Sequence, residues 1–267
     1  MDPSGIIGMV MAFGALISLM LIEGTGVSAI FLPGPMVIVF AGTIGATVAG
    51  STLSDVKLAV KSLSKAVMGR VPSPQPVIDT LVSLAERARR EGLLALEDAM
   101  RDIEDPFLRR GLSAAIDGTD ADELRDLLAE EIESKRDRDA CAVDFFQSLG
   151  GYAPTIGIIG TVVSLVHVLE NLKDVGTLGP MIASAFVATL WGVTSANMLW
   201  LPIASRLRRL STLECRQMEL TMEGVLAVQS GANPRAVGQR LQSMLASEVA
   251  GAKDRAGAGA GAKERAA

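Results

Sequence analysis

Two threonines, two prolines and a stripe of small residues are the side chains of this chain best placed to do chemistry. Residues 151–205 contain two apolar spans, GYAPTIGIIGTVVSLVHVL and LGPMIASAFVATLWGVTSANMLWLPIAS, with no Asp, Glu, Lys or Arg inside either. In the first, Gly157, Gly160, Thr161 and Ser164 recur at i, i+3, i+4 and i+7. In the second, Ala185, Thr189, Gly192 and Ala196 recur at i, i+4, i+7 and i+11, with Ser195 beside them. Two readings fit. Small residues let membrane helices approach closely, so Gly157, Gly160 and Gly192 can be plain helix contacts. Alternatively, Thr161 and Thr189 offer hydroxyl oxygens to a hydrated or partly dehydrated cation. Intramembrane ion sites nearly always include an ionisable group, and this pair has no acid. Either nothing crosses here, or another protein supplies the acid.

Pro154 and Pro202 lie near the same-side ends of these spans. Pro154 sits where a helix enters the membrane, an ordinary position for proline. Pro202 falls in the last turn of its span, where it removes a backbone hydrogen bond and can act as a hinge. Both can equally be kinks that only shape a bundle. The one histidine, His167, lies near the outer end of its span and reads as structural or interfacial. Arg89, Arg90 and Glu97, in the run ARREGLLALED, read by composition as a solvated helix face. Such charges add little stability but can steer a charged partner.

The elements that must hold these residues follow from charge distribution. Mean hydropathy is +0.37, too high for an ordinary soluble domain, and 21% of residues are charged. Residues 51–150 carry 14 Lys/Arg and 20 Asp/Glu, whereas Gly5–Ile22 and Ala29–Gly50 carry none. Uncharged stretches of about 18 residues cross most of a bilayer core roughly 30 Å thick. The expected fold is all-α, with four transmembrane helices, a helical cytoplasmic domain and a cytoplasmic C-terminal helix. Lys and Arg concentrate in 51–150 and after Ser205, so both termini and both large polar regions are expected inside. The division expected is 1–50, a peripheral helix pair; 51–150, the cytoplasmic domain; 151–205, the second pair; 206–249, cytoplasmic helices; and 250–267, a low-complexity disordered tail.

Within 51–150, Ser51–Arg70 reads as a helix with Lys57, Lys61 and Lys65 facing anionic lipid headgroups. VPSPQP breaks it. Val77–Arg90 is amphipathic, Gly92 precedes a segment Leu93–Ile103, and Asp105-Pro106 opens a further helix. Asp120 with Glu123 resembles a capping box at the head of a long helix toward Phe146. Asn233-Pro234 starts a last helix ending near Ser247.

Much chemistry is excluded. One histidine removes HExxH zinc sites and disfavours a Ser-His-Asp triad. There is no GxxxxGK[ST] phosphate loop, and GTIGATVAG lies inside an apolar span. No enzyme activity, metal site or cofactor is expected. Cys141 and Cys215 fall in cytoplasmic segments and read as reduced thiols. An acidic balance without a basic, aromatic patch argues against nucleic acid. Met1-Asp2-Pro3-Ser4 has no basic region, so no cleaved leader is expected.

The order of two spans, a large insertion, two spans and a charged tail resembles the MotA family, ring-forming subunits of the bacterial flagellar stator. The motifs RREGLLALED, YAPTIGIIGTVVSLVHVLENL and AFVATLWGVTSANMLWLPIA carry the resemblance over roughly residues 1–230. It implies a homopentameric ring in the bacterial inner membrane, built around a MotB-like single-span partner whose membrane Asp carries H+ or Na+. It also implies torque on the rotor protein FliG. By resemblance, Pro154 and Pro202 couple ion flow to conformational change and Thr189 lies near the partner's Asp. Arg89, Arg90 and Glu97 would meet the rotor. Thr161 falls where sodium-type stators tend to keep threonine, and the choice between H+ and Na+ stays open. A TolQ/ExbB-like energiser of envelope processes is the alternative, but such proteins have one span before the large cytoplasmic segment. A membrane scaffold that conducts nothing is a third reading.

Overall fold

The computed structural model describes residues 4–24, 26–69, 71–173 and 175–245, and among them every regular element is helical. Helix α1 spans Ser4–Ile22. A short 3-10 turn at Val27–Ile30 follows, then α2 over Pro33–Ala49. The second apolar span therefore starts four residues later than Ala29, because Pro33 and Pro35 set the first turn of the helix. At 17 residues it is the shortest apolar helix, at the lower limit for crossing a bilayer. Three other helices are long and apolar enough to cross a membrane.

Helix α3 (Leu53–Met68) opens on a capping box in which Thr52 and Asp55 satisfy each other's backbone N–H groups. The Thr52 hydroxyl and backbone N–H hold the Asp55 carboxyl below its ordinary value. A lowered folded pKa means the cap is intact above the usual carboxylate range and is lost as pH falls through the lowered value. Lys57 and Lys61 on α3 are exposed, whereas Lys65 pairs with Asp139 at 3.5 Å. Lys65 is thus partly committed to protein and less available to lipid than its spacing suggests.

Helix α4 (Pro74–Glu91) ends at Gly92, whose φ of +85° is a conformation that disfavours any side chain. Leu93–Asp102 then runs as short turns around the four-residue α5 (Leu96–Ala99). Helix α6 (Pro106–Ile116) is capped by Asp105, whose carboxylate accepts from Phe107 N–H. Asp120 caps the next helix by accepting from Asp122 N–H at 2.9 Å.

That helix, α7, is the largest departure from expectation. It runs unbroken from Ala121 to Glu170, with Pro154 in its interior. No break marks the Gly150-Gly151 pair, so Pro154 is not at a helix start. Helix α8 (Val175–Ser195) passes through a π turn at Ala196–Trp200 directly into α9 (Leu201–Gln229). Pro202 is therefore also internal, in the first turn of α9. A last helix over 234–245 is capped by Asn233, which accepts from Arg235 N–H. Its expected end near Ser247 and the 250–267 tail lie outside the described residues.

The chain divides into two compact units, Met1–Val71 with Asp137–Thr212, and Pro72–Arg136 with Leu213–Ala267. In the first, α3, α7 and α9 share a core of Ala59, Val143, Phe146, Leu149, Ile203 and Leu207, while Val39 of α2 packs with Val187, Ala188 and Trp191 of α8. In the second, Ile78 and Leu81 of α4, Leu112 of α6, Leu124 and Leu128 of α7, and Val225 of α9 are buried together. Glu223 joins its helices from the side, accepting from Arg125 at 2.8 Å and Arg240 at 2.6 Å. Leu112 is 0% exposed and Leu94 is 72% exposed. Leu112→Ala should cost this unit about 2–5 kcal/mol, read as faster amide hydrogen exchange through α4 and α6. Leu94→Ala should leave exchange unchanged.

Candidate functional site

The apolar half of α7 and the helix α8 meet along their small residues. A Cβ on Gly157 would stand 2.9 Å from Ala188 O and 3.3 Å from Thr189 Cα. One on Gly192 would stand 2.7 Å from Ala153 O and 3.0 Å from Gly157 Cα. No side chain fits at either position without moving backbone. Gly160 packs against the Ala188 methyl and Ile38 of α2. The three glycines singled out by spacing therefore stand at one crossing, where main chain meets main chain at Gly157 and Gly192.

That approach brings the two threonines together. Thr161 Oγ1 lies 2.5 Å from Thr189 Oγ1, 2.9 Å from Ala185 O and 3.1 Å from Gly157 O. A hydroxyl has one proton and two lone pairs, so only two arrangements satisfy the pair. Thr161 can donate to one of its carbonyls and accept from Thr189, which leaves Thr189 oxygen as an acceptor. Alternatively, Thr161 donates to Thr189, freeing the Thr189 proton for an acceptor beyond. The pair can thus present either an acceptor or a donor by rotating two hydroxyls. Both side chains are half-buried.

The prolines gather at a second crossing in the same unit. A Cβ on Gly150 would lie 2.5 Å from Leu201 Cδ2, which puts α7 one turn before Pro154 against α9 one residue before Pro202. Pro154 is half-buried and Pro202 exposed. Pro202 borders an apolar cavity of about 290 Å³ with Met9 of α1, Ala66 of α3 and Arg206. Arg206 donates from Nε to Ala66 O at 2.6 Å, closing the C-terminal turn of α3. His167 stands apart from the threonines, exposed at the end of α7, with Nδ1 3.9 Å from Glu170 and 3.4 Å from Asn171 Nδ2.

Arg89 and Arg90 are exposed in the last turn of α4, where cations are favoured by the helix dipole. Arg90 lies 3.8 Å from Glu86. Glu97 is exposed on α5, past the Gly92 turn, while its neighbour Leu96 is fully buried and pins the segment. The three charges occupy the α4–α5 corner of the second unit.

Three features escaped sequence reasoning. The π turn at Ala196–Trp200 has Pro202 as its only signal. Gly150 reads as a helix boundary until Leu201 is seen against it. Trp191 donates from Nε1 to Ile30 O at 2.6 Å and packs against Phe31 and Phe40, holding the α1–α2 connection onto α8. Its signal was rarity, as one of two tryptophans.

The chain is similar in sequence and fold to known proteins. Residues 6–92 match the model for the motility protein A N-terminal region, and 99–220 match that of the MotA/TolQ/ExbB proton channel family. Motility protein A of Bacillus subtilis is 38% identical over 249 residues, covering 92% of this chain and 91% of that protein. The flagellar MotAB stator complex of Bacillus subtilis is similar with a TM-score of 0.84 and 38% identity, over 90% of this chain and 94% of that one. The C. jejuni MotAB structure gives a TM-score of 0.88 at 26% identity, over 91% and 96%.

The backbone contact at Gly192 predicts a sharp positional effect. Gly192→Ala should destabilise the α7–α8 pair by about 1–3 kcal/mol, seen as a lower melting temperature in detergent. Gly179→Ala, where nothing lies within 4 Å, should leave it unchanged.

Proposed function

Because this chain belongs to the motility protein A branch of the MotA/TolQ/ExbB proton channel family, we propose how its own residues serve as a flagellar motor stator. The observation that carries the reading is the Thr161–Thr189 pair in a crossing with no acid of its own. A MotB-like single-span partner supplies the carboxylic acid beside Thr189, in the bacterial inner membrane, with this chain's termini in the cytoplasm. The solved relatives are MotAB complexes, which supports a partner of that kind.

The hydroxyl pair suits an acid that changes charge. A loaded, neutral carboxyl can donate its proton to Thr189 oxygen while Thr189 donates to Thr161. A sodium-loaded carboxylate would find the same oxygen as a ligand. Once the ion leaves, the bare carboxylate needs a donor, and the pair reverses so that Thr161 donates to Thr189 and Thr189 to the acid. An uncompensated carboxylate in an apolar span costs several kcal/mol. Its search for the next hydroxyl donor supplies a force between partner and ring. Pro154 and Pro202 each remove a backbone hydrogen bond from a helix near the Gly150–Leu201 contact, where the backbone yields most readily. In a homopentameric ring, five such sites would pass the acid in turn.

The α4–α5 corner delivers the motion. Arg89, Arg90 and Glu97 are exposed on a buried base, and opposed charges on the rotor protein FliG would set their docking. A TolQ/ExbB-like role has no observation in its favour, since two apolar helices precede the insertion.

Motility of a stator-less strain carrying this chain and a MotB-like partner tests the reading. Thr189→Val keeps shape and removes the hydroxyl, and should abolish swimming while the two proteins still co-purify. Arg90→Glu should impair swimming and be relieved by charge reversal on the rotor. Full torque from Thr189→Val would overturn the ion-site assignment.

A further inference from the structure

The cavity beside Pro202 combines an apolar interior with a single cationic edge. Ile6, Met9 and Val10 of α1, Ala66 and Val67 of α3, and Ile203 of α9 line it. Among the described residues, the one charged side chain on its wall is Arg206. All of these residues belong to one compact unit. A lining of this kind does not hold ordered water, which needs several polar partners. At about 30 Å³ for each water-sized group, a volume of about 290 Å³ takes roughly ten of them. That is room for a length of hydrocarbon chain.

The cavity is open to such a chain. Ile6, Val10 and Val67 are exposed at its rim, and the span Gly5–Ile22 is almost wholly uncovered by the rest of the chain. Around an apolar membrane helix, the medium that meets this rim is lipid.

Arg206 defines the polar end. Its Nε donates to Ala66 O at 2.6 Å, and Nη1 lies 3.2 Å from where a Cβ on Gly5 would stand. The guanidinium thus rests on the first turn of α1, at the head of the cavity. It carries several N–H donors in a planar fork, a geometry that matches phosphate. The surrounding charge has the same sign. Leu53–Met68 and residues 201–212 together carry six Lys or Arg and one acid, Asp55. Lys57, Lys61, Arg208 and Arg209 are exposed, and basic groups at a cytoplasmic membrane surface attract anionic headgroups.

We propose that this cavity binds an anionic phospholipid of the cytoplasmic leaflet. One acyl chain lies among Ile6, Met9 and Ile203, and the phosphate accepts hydrogen bonds from Arg206. The bound lipid joins α1 to α3 and α9 and fills a gap that side chains leave open beside Pro202. The inference uses the orientation proposed above, with the N-terminus inside, and is independent of the ion site.

The complex with its single-span partner, purified in detergent, provides the test. Native mass spectrometry should show phosphatidylglycerol retained about fivefold or more over phosphatidylcholine of the same chain length. Phosphatidylglycerol should also raise the melting temperature by about 3 °C more than phosphatidylcholine does. Arg206→Gln, which keeps a donor for Ala66 O, should bring the two lipids level in both readouts. Were Arg206 only structural, that variant would melt lower in both lipids and keep the preference, which would overturn the inference. Ile6→Trp, at the rim, should occupy the cavity and release the lipid. Ile17→Trp, exposed farther along α1, should retain it. No preference in the wild type, or a preference that survives Ile6→Trp, would also overturn the inference. If Arg206→Gln does not assemble, the wild type and the two tryptophan variants decide. None of these outcomes depends on Thr189→Val, so the stator reading stands or falls separately.

Discussion

The close approach of Gly157 to Gly192 is the contact on which the site depends. Because neither residue carries a Cβ, α7 and α8 meet backbone to backbone, and only that spacing brings Thr161 within 2.5 Å of Thr189. Larger residues at the crossing would part the hydroxyls and leave two separate threonines, each bonded back to its own helix. The electrostatic consequence is equally local. In an apolar setting a pair of hydroxyls can host a group that gains and loses charge, but cannot replace it. On the proposed reading, the chain is organised around a charge that it does not contain.

Other contacts in the same unit hold the helices of this crossing. Beside Gly192, Trp191 anchors the α1–α2 connection through a hydrogen bond to Ile30 and ring contacts with Phe31 and Phe40. Near Pro154 and Pro202, Gly150 of α7 meets Leu201 of α9, and α8 passes into α9 through the π turn. Both α7 and α9 contribute residues to each of the two compact units. The α4–α5 corner stands on a core of Leu81, Leu96 and Leu112, so its exposed charges have a firm base.

Much of this was legible in the sequence because each signal had a physical cause. Uncharged runs marked the spans, and Asp105-Pro106, Asn233-Pro234 and Asp120 marked helix starts through caps that the structure contains. The 3.6-residue spacing of small residues put Gly157, Gly160 and Gly192 on facing sides. What was not legible was continuity. Gly150-Gly151 and Pro154 look like a boundary, yet tertiary packing against Leu201 outweighs their helix-breaking tendency. The same holds for Pro202, whose cost is absorbed by a π turn rather than a break. Local propensity gives the cost of a proline in a helix but does not say where neighbours will meet it.

The central claim is that this chain holds an ion site completed by another protein's acid. Ion uptake into lipid vesicles, driven by an imposed potential, tests it most directly when this chain is reconstituted alone and with its single-span partner. The account predicts uptake only with the partner present, and its loss when the partner's membrane carboxylic acid is changed to the amide. Potential-driven uptake by this chain alone, at the rate of the full complex, would contradict it.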